Sequence, residues 1–280
     1  MNEVPATVCY ALVAPGIARI TLDRPAKGNA QDTQMTYDLN GALMRAAHDD
    51  SIKVIILGAS GKHFSAGHDL KDHGHDSVVR ANARMGVYGN IDTSTVAGYF
   101  AWEREVYLDS CRRWRSIPKP IIAEVHGACF GGGLQIALGA DIRIATPDAR
   151  LSVMEVRWGL VPDMGITRTL PRLVGIDVAK ELTYTARVFS GEEASRLGVV
   201  TRLAVDPLAD AAALAAEIAA RSPDAVRAAK RLFEESWTEP AERTLALEAA
   251  SQLKLIGSPN QMAAVTAGLS GEAPVFADPA

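Results

Sequence analysis

The sequence contains little cysteine. Its three cysteines, Cys9, Cys111 and Cys129, are odd in number and show no CxxC spacing. Both features argue against a disulfide framework and against a zinc site, and they are typical of a reducing compartment. We therefore expect a cytoplasmic protein that needs neither a metal ion nor a redox cofactor.

Long apolar runs and an excess of positive charge are also missing. No stretch of about 18 apolar residues occurs, and the first five residues lack the basic and apolar segments of a secretion signal. The 33 acidic residues outnumber the 29 basic ones, which gives a formal net charge of −4 and not the basic surface of a nucleic-acid-binding protein. The sequence thus predicts neither a membrane nor a nucleic-acid partner, whereas a small anionic ligand held by local cations is compatible with it.

The first 205 residues alternate short β-rich runs with helix-like runs. A chain of 280 residues, 48% of them hydrophobic, is long enough for one or two domains with a sizeable core. Two β-rich runs flank Pro15-Gly16, which predicts a hairpin, and Asp32 or Thr33 predicts the start of a helix that continues to about Asp49. Further strands are predicted at 54–57, 121–125 and 142–145, and further helices at 100–116 and 133–139.

The composition changes after Pro207. Three alanine-rich segments, 211–221, 223–237 and 240–256, are typical of helices, and a proline lies near each start. We therefore predict a mixed α/β core in residues 1–205 and a helical C-terminal region in residues 206–280. Helices at a chain end often pack their leftover apolar faces on a neighbouring subunit, so this region is predicted to be an oligomerisation surface.

Three consecutive glycines, Gly131 to Gly133, separate an apolar β-like run from an apolar helix-like run that begins at Leu134. Glycine lets a backbone approach a ligand closely, and the first turn of a helix carries N–H groups without an internal acceptor. The pattern predicts a place where backbone N–H groups meet a developing negative charge. A tight turn without function is the alternative interpretation.

A second glycine motif, Phe64-Ser65-Ala66-Gly67-His68-Asp69-Leu70, precedes the first by about sixty residues. In this order and spacing, the two motifs resemble the crotonase superfamily, the enoyl-CoA hydratase/isomerase group. The resemblance extends from Ile20 to Val200. It implies an α/β fold, a spiral of ββα units with a C-terminal helical trimerisation region, assembled as a homotrimer or a dimer of trimers.

The resemblance also implies that the backbone N–H groups of His68 and Gly132 bind the thioester carbonyl of an acyl-CoA. Chemistry beside a thioester places negative charge on that oxygen, and one fixed donor is commonly worth about 10²–10³ in rate. Coenzyme A is then part of the substrate and not a separate cofactor. By the same resemblance, the CoA part is expected to contact Lys27, with Arg24 as an alternative, and Ala66, Leu70 and Lys71. Residues 72–95 are expected to line or cover the acyl pocket.

The acid–base positions depart from the hydratase pattern of this family. That pattern has one glutamate two residues beyond the glycines and a second twenty residues later, whereas this chain has Gln135 and Glu155. A neutral amide orients water but does not take up a proton at neutral pH. Asp163, eight residues after Glu155, resembles the second carboxylate of the dienoyl-CoA isomerases, so Glu155 and Asp163 are the predicted proton carriers. Gln135 is predicted to position substrate or water.

Simpler roles for these residues stay open in the sequence. Asp163 could cap a helix at 165–173, Glu155 could pair with Arg157 on the surface, and Gln135 could be an exposed polar residue. The apolar neighbours of Glu155 favour a half-buried carboxyl with a raised pKa. These neighbours are Leu151, Val153, Val156 and Trp158.

Three functions compete at this point. The residues favour isomerisation of an enoyl-CoA double bond, because a single carboxylate can remove a proton and return it elsewhere. Hydration of a 2-enoyl-CoA is the alternative, and a non-catalytic acyl-CoA-binding protein is the third reading.

Overall fold

A computed structural model describes residues 6–70 and 114–279 of the chain. Lys71, Cys111, the segment 72–95 and most of the helix predicted at 100–116 lie outside the described residues, and only residues 114–116 of that helix are seen, as helix. The described strands are β1 (Val8–Ala14), β2 (Ile17–Leu22), β3 (Val54–Ala59), β4 (Ile121–Val125), β5 (Ala128–Phe130), β6 (Ile142–Ala145), β7 (Arg150–Ser152), β8 (Phe189–Ser190) and β9 (Arg202–Leu203).

The described helices cover the sheets and form the C-terminal region. They are α1 (Thr33–His48), α2 (Gly132–Gly139), α3 (Ile166–Thr169), α4 (Ile176–Thr185), α5 (Gly191–Leu197), α6 (Pro207–Ala219), α7 (Pro223–Ser236), α8 (Ala241–Leu255) and α9 (Pro259–Ser270), with 3-10 turns at Pro25–Lys27, Glu155–Trp158 and Leu170–Arg172. None of these helices is both long and apolar enough to cross a membrane.

Six strands form the main sheet in the order β1-β2-β3-β4-β6-β9. The β1–β2 pair is the predicted antiparallel hairpin, and the remaining pairs are parallel. Every residue of β3 and β4 is buried, which explains their nearly continuous apolar sequences, since a parallel strand is covered on both faces. This sheet anchors the segments that follow β3 and β4, and those segments contain the two glycine motifs.

A second sheet of three strands, in the order β5-β7-β8, holds the triple-glycine segment. Strand β5 is parallel to β7, and Gly131 directly follows β5. Cys129 is fully buried in β5 and belongs to the apolar core, as the sequence indicates for this thiol.

Helix α1 begins where the sequence predicts. The Asp32 carboxylate accepts a hydrogen bond from the Met35 N–H at 2.8 Å, which is the N-cap arrangement. Its apolar face is buried against the first two strands, so the crossover between β2 and β3 is held on the sheet. The buried apolar residues of α1 are Met35, Leu39, Leu43 and Ala46.

All described elements beyond residue 205 are helices. Helix α6 packs on the main sheet, where Ala211 and Ala215 are buried against Ile56 and Ile122. Helices α7 to α9 expose large apolar side chains, including Phe233 and Leu253. Helix α9 is missing from the predicted set, and the boundary at residue 205 and the role of these helices in oligomerisation stay predictions.

The two glycine motifs lie side by side. Ser65 pairs with Cys129 as an isolated parallel bridge, its N–H donates to the Ala128 carbonyl at 3.0 Å, and its carbonyl accepts from the Phe130 N–H at 3.0 Å. A Cβ on Gly133 would lie 2.6 Å from the Ser65 Cβ. The close approach therefore requires glycine at position 133.

We expect Gly133→Ala to lower the free energy of unfolding by about 1–3 kcal/mol, because overpacking a dense interior costs that much. Gly41→Ala is the matched control, since a Cβ on Gly41 in α1 meets nothing within 4 Å. Replacing this helical glycine should raise stability by about 0.5–1 kcal/mol. Denaturant unfolding of both variants checks the pair, and equal stability of the two would contradict the contact.

Candidate active site

The backbone of Gln31 fixes the loop that contains His68. The Gln31 N–H donates to the Gly67 carbonyl at 2.8 Å, and the Asp69 N–H donates to the Gln31 carbonyl at 2.7 Å. His68 itself pairs with Gln31 in an isolated parallel bridge. The main chain of His68 is therefore held from both sides by one residue.

Arg24 ties the same loop to the start of α1. Its guanidinium lies 3.1 Å from Asp32 and 3.3 Å from Asp69, and it donates to the Ala30 carbonyl at 2.5 Å. These bonds engage Arg24 inside the protein, so the expectation that it could replace Lys27 at the CoA phosphates loses support. The arginine instead positions the His68 loop.

Gly132 is the first residue of α2, and a first-turn N–H has no acceptor within its own helix. Gly131 precedes it at φ +51, where glycine is favoured, and its N–H donates to the Ser152 carbonyl at 2.9 Å. A Cβ on Gly67 would lie 3.0 Å from the Phe130 carbonyl oxygen, so the loop before His68 touches the segment before Gly132. The structure thus brings the two segments that carry the predicted N–H donors into contact, and the role of these donors stays a prediction.

Gln135 lies on α2 and is 1% exposed, so the interpretation of a surface residue is wrong. Its Nε2 donates to Glu155 Oε1 at 2.7 Å, and its Oε1 accepts from the Met164 N–H at 2.9 Å. Both ends of the amide therefore have protein partners. Gln135 holds Glu155 and the segment around Met164 together.

Glu155 begins a 3-10 turn directly beside the triple glycine, where a Cβ on Gly131 would lie 3.4 Å from its Oε1. Burial raises the pKa of this carboxyl, the nearby charge of Asp163 raises it further, and the hydrogen bond from Gln135 opposes the rise. Among the described residues, no group hydrogen-bonds Oε2, although that atom is buried. One oxygen is thus held in place and the other is available to a ligand.

The half-buried state predicted for Glu155 is confirmed, but its cause is different. Val156 and Trp158 are 38% and 55% exposed, so they do not shield the carboxyl as expected. Leu151 and Val153 on the preceding segment are buried, and the buried Gln135 of α2 bonds the carboxyl directly. The bond to Gln135 also replaces the alternative in which Glu155 pairs with Arg157.

Asp163 is exposed and close enough to Glu155 to influence its pKa. The alternative role as a helix cap is wrong, because α3 begins at Ile166 and its N-cap is Gly165, without a side-chain capping bond. Gly165 has φ +88, and this turn directs the chain into α3.

The positions expected to contact the CoA part are on the surface next to the His68 loop. Lys27, Ala66 and Leu70 are all exposed. The Ala66 N–H donates to the Gly28 carbonyl at 2.8 Å, so the turn at Lys27 lies directly beside Ala66. The contacts of these residues with CoA stay predictions, and Lys71 is outside the described residues.

Two residues of the site are not found by the motifs. Gln31 and Met164 face Gly132, where a Cβ would lie 2.5 Å from Gln31 Oε1 and 3.1 Å from Met164 Sδ. The one sequence signal for Gln31 is a polar residue directly before the capped helix. Because polar residues are ordinary at that position, the signal does not identify a site residue. Within residues 6–70 and 114–279, no three His, Cys, Asp or Glu side chains gather in a way that could hold a metal ion.

Comparisons with known proteins found matches over nearly the whole chain. A family model for enoyl-CoA hydratase/isomerase matches residues 17–276. A protein of Mycobacterium bovis named "Probable enoyl-CoA hydratase echA12" is 34% identical and covers 98% of this chain and 94% of its own length. The mitochondrial Delta(3,5)-Delta(2,4)-dienoyl-CoA isomerase of Rattus norvegicus is 33% identical over 76% of this chain and 64% of its own length. The crystal structure of an enoyl-CoA hydratase from Bacillus anthracis matches with a TM-score of 0.84 at 26% identity, covering 96% of this chain and 98% of that one.

We expect Asp163→Asn to lower the pKa of Glu155, because the removed charge is one of the causes that raise it. The acid limb of the rate–pH profile should then move to lower pH. The measurement is the pH dependence of turnover, compared with Asp177→Asn, an exposed aspartate in the first turn of α4. An unchanged acid limb in Asp163→Asn would show that the two carboxyls do not interact.

Proposed function

This chain belongs to the enoyl-CoA hydratase/isomerase family, and we propose that it moves the double bond of an enoyl-CoA thioester. In this reaction, a proton leaves one carbon of the acyl chain and returns to another. No water is added, so one carboxylate that first accepts and then donates the proton is sufficient.

One observation carries the choice of isomerisation. The position of a second acid–base group is occupied by Gln135, whose amide bonds Glu155 at one end and the Met164 backbone at the other. An amide does not exchange protons at neutral pH. The pair therefore contains one titrating carboxyl, which supports a proton shift and disfavours the two-carboxyl addition of water.

The enolate formed in this reaction needs donors at the thioester oxygen. We assign this role to the backbone N–H groups of His68 and Gly132, and the pairing of the two glycine segments at Ser65 and Cys129 supports the assignment. Because these donors are fixed before the reaction, they stabilise the developing charge without reorganisation. The positive end of α2 at Gly132 adds to the same effect.

Glu155 is the proposed proton carrier. Its Oε1 is held by Gln135, and its Oε2 is directed to no described protein partner, so the second oxygen can exchange protons with the acyl carbons. Because its pKa is raised, Glu155 is protonated during the reaction at a lower cost in free energy than an exposed glutamate would be. Asp163, exposed beside it, is the proposed second carrier for a double bond that moves along a conjugated chain.

Hydration of a 2-enoyl-CoA is the second candidate. It is favoured by the relative of Mycobacterium bovis, which is named an enoyl-CoA hydratase and matches nearly the whole chain. In this reading, Glu155 alone would activate the water and Asp163 would protonate the acyl chain. A non-catalytic acyl-CoA-binding protein is the third possibility and would give no turnover at all.

We also propose the contacts with the CoA part, the assembly and the location of the enzyme. Lys27, Ala66 and Leu70, at the surface beside His68, are proposed to contact the CoA part together with Lys71. The exposed apolar side chains of α7, α8 and α9 support assembly as a homotrimer or a dimer of trimers. A cytoplasmic location and the absence of a separate cofactor are parts of the same proposal.

A panel of three thioesters tests the function. We expect the protein to convert 3-enoyl-CoA or 3,5-dienoyl-CoA and to leave crotonyl-CoA largely unchanged, as followed by the absorbance of the conjugated thioester. Glu155→Gln should lower the turnover by about 10²–10⁴-fold, since that is the usual contribution of a positioned proton carrier. It should retain binding of CoA esters, because the new amide can still accept from Gln135.

Glu181→Gln is the control, since Glu181 is an exposed partner of Arg187 and not one of the proposed site residues, and its turnover should be unchanged. Rapid loss of crotonyl-CoA absorbance would favour hydration over isomerisation. Binding of all three thioesters without turnover would favour the non-catalytic reading.

A second experiment restores the missing carboxyl. Gln135→Glu would place a second carboxyl group where the amide now lies, 2.7 Å from Glu155 Oε1. The two carboxyl groups should then share one proton, and the acid limb of the rate–pH profile should move to higher pH. If the missing group alone prevents hydration, the variant should also consume crotonyl-CoA. Gln135→Met is the control for loss of the amide bonds, and no gain of hydration in Gln135→Glu would show that the site does not admit water.

A further inference from the structure

The imidazole of His63 connects the two glycine segments. His63 lies two residues before Ser65, and its Nδ1 accepts a hydrogen bond from the Ala128 N–H at 3.1 Å. Ala128 is the first residue of β5, and its carbonyl accepts from the Ser65 N–H. The bond to the imidazole therefore joins the chain that leads to His68 with the chain that leads to Gly132.

A ladder of hydrogen bonds runs between these segments, and the imidazole is part of it. The Phe64 N–H donates to the His126 carbonyl at 2.9 Å, and the Ser65 N–H donates to the Ala128 carbonyl at 3.0 Å. The Ala128 N–H, which lies between those two carbonyls along the chain, donates to the side chain of His63. The ladder is therefore complete only when Nδ1 is available as an acceptor.

Packing confines the ring beside the Ala128 N–H. A Cβ on Gly127 would lie 2.8 Å from Nδ1, and a Cβ on Gly28 would lie 3.6 Å from Cδ2, so glycines border the ring on two sides. The His63 carbonyl accepts from Asn29 Nδ2 at 2.7 Å, which fixes the main chain of the same residue. Both the backbone and the side chain of His63 are thus held in place.

The bond to Nδ1 requires the neutral imidazole. Its acceptor is the lone pair of Nδ1, and in the imidazolium ion both ring nitrogens carry protons. Burial lowers the pKa of His63 below its ordinary value of 6.5. The charges of Lys62, His126 and Arg150 lower this pKa further, and they come from the same segment, from the residue after β4 and from the start of β7. The ring is therefore neutral, and able to accept, at neutral pH.

We propose that His63 is a positioning residue for the oxyanion site proposed at His68 and Gly132. Its neutral imidazole holds the two glycine segments at a fixed spacing, and protonation of the ring releases the Ala128 N–H and loosens that spacing. This role rests on the proposed function, because it takes the two backbone N–H groups as the donors to the thioester oxygen. His63 does not touch the substrate, and it acts only through the backbone between the donors.

Acetoacetyl-CoA tests this role apart from the overall reaction. Its keto form has no carbon–carbon double bond to hydrate or to move, and its enolate absorbs light where the keto form does not. With the full-length protein, the bound thioester should contain more enolate than free acetoacetyl-CoA at the same pH, because the two N–H donors stabilise the charge. This measurement gives the same answer for an isomerase and for a hydratase.

Two variants separate the acceptor from the ring. His63→Leu removes the acceptor, whereas His63→Asn keeps it, since the amide Oδ1 is as many bonds from Cα as Nδ1 and does not titrate. His63→Leu should lower the bound enolate at neutral pH by about 2- to 10-fold, which corresponds to one hydrogen bond, and His63→Asn should restore most of it. His48→Asn is the matched control, because His48 is exposed on α1 and its Nδ1 lies 2.8 Å from the Met44 carbonyl. Its bound enolate should equal that of the wild-type protein.

The pH dependence distinguishes positioning by a neutral ring from general structural support. In the wild-type protein, both Glu155 and His63 gain protons as the pH falls below neutrality, so the bound enolate should decrease with a slope of about two protons. In His63→Asn only Glu155 is left, and the slope should be about one. His48→Asn should keep the wild-type slope, and NMR titration of the His63 imidazole should give a pKa below 6.5.

The possible results separate this role from the proposed function. If the wild-type protein binds acetoacetyl-CoA without raising its enolate, the oxyanion site is wrong and both proposals fall. If the wild-type protein raises the enolate and His63→Leu does so equally, His63 has no positioning role and the proposed function stands. The same holds if His63→Asn does not restore what His63→Leu loses. Should His63→Leu fail to fold, His63→Asn decides alone, because an unchanged slope would contradict the role of the ring.

Discussion

The close approach of two backbone segments is the constraint on which the site depends. The chain at Ser65 runs beside β5, and a Cβ on Gly133 or Gly67 would collide with the opposing segment. Because the main sheet fixes the strands that precede both segments, the segments that carry the two proposed N–H donors lie side by side near the start of α2, and the Arg24 side chain ties one of them to α1. Catalytic geometry built from backbone is rigid, and it leaves the neighbouring side chains to decide which reaction follows.

A half-buried carboxyl held by a neutral amide is the second constraint. Desolvation raises the pKa of Glu155, while the Gln135 amide holds the carboxylate and lowers it again. The native state therefore binds the proton more tightly than the unfolded chain, so this group contributes less stability as pH rises from its ordinary value of 4.5 through its raised value. Carboxyl groups with a raised pKa are common at active sites, which agrees with the proton carrier proposed for Glu155.

Gln31 is another buried polar residue beside the triple glycine. Its backbone is fully used in holding the His68 loop, while its buried amide has no partner among the described residues. Arg24, by contrast, is bound to Asp32 and Asp69 and ties the His68 loop to the start of α1. The Gln31 amide and the outer oxygen of Glu155, which have no hydrogen-bond partner among the described residues, lie beside Gly132 and Gly131 respectively.

By itself, the sequence determined the family, the glycine motifs, the Asp32-capped helix and most strands, because these follow from local periodicity and backbone requirements. The alternative role of Asp163 as the cap of α3, suggested by the local sequence, is wrong. The cap depends on where the chain turns, and that turn occurs at Gly165. Only the tertiary structure decided that Gln135 clamps Glu155 to Met164 and that Gln31 lies over Gly132. These contacts join residues 20 to 101 positions apart, and such partners are set by how sheets and helices pack and not by neighbouring sequence.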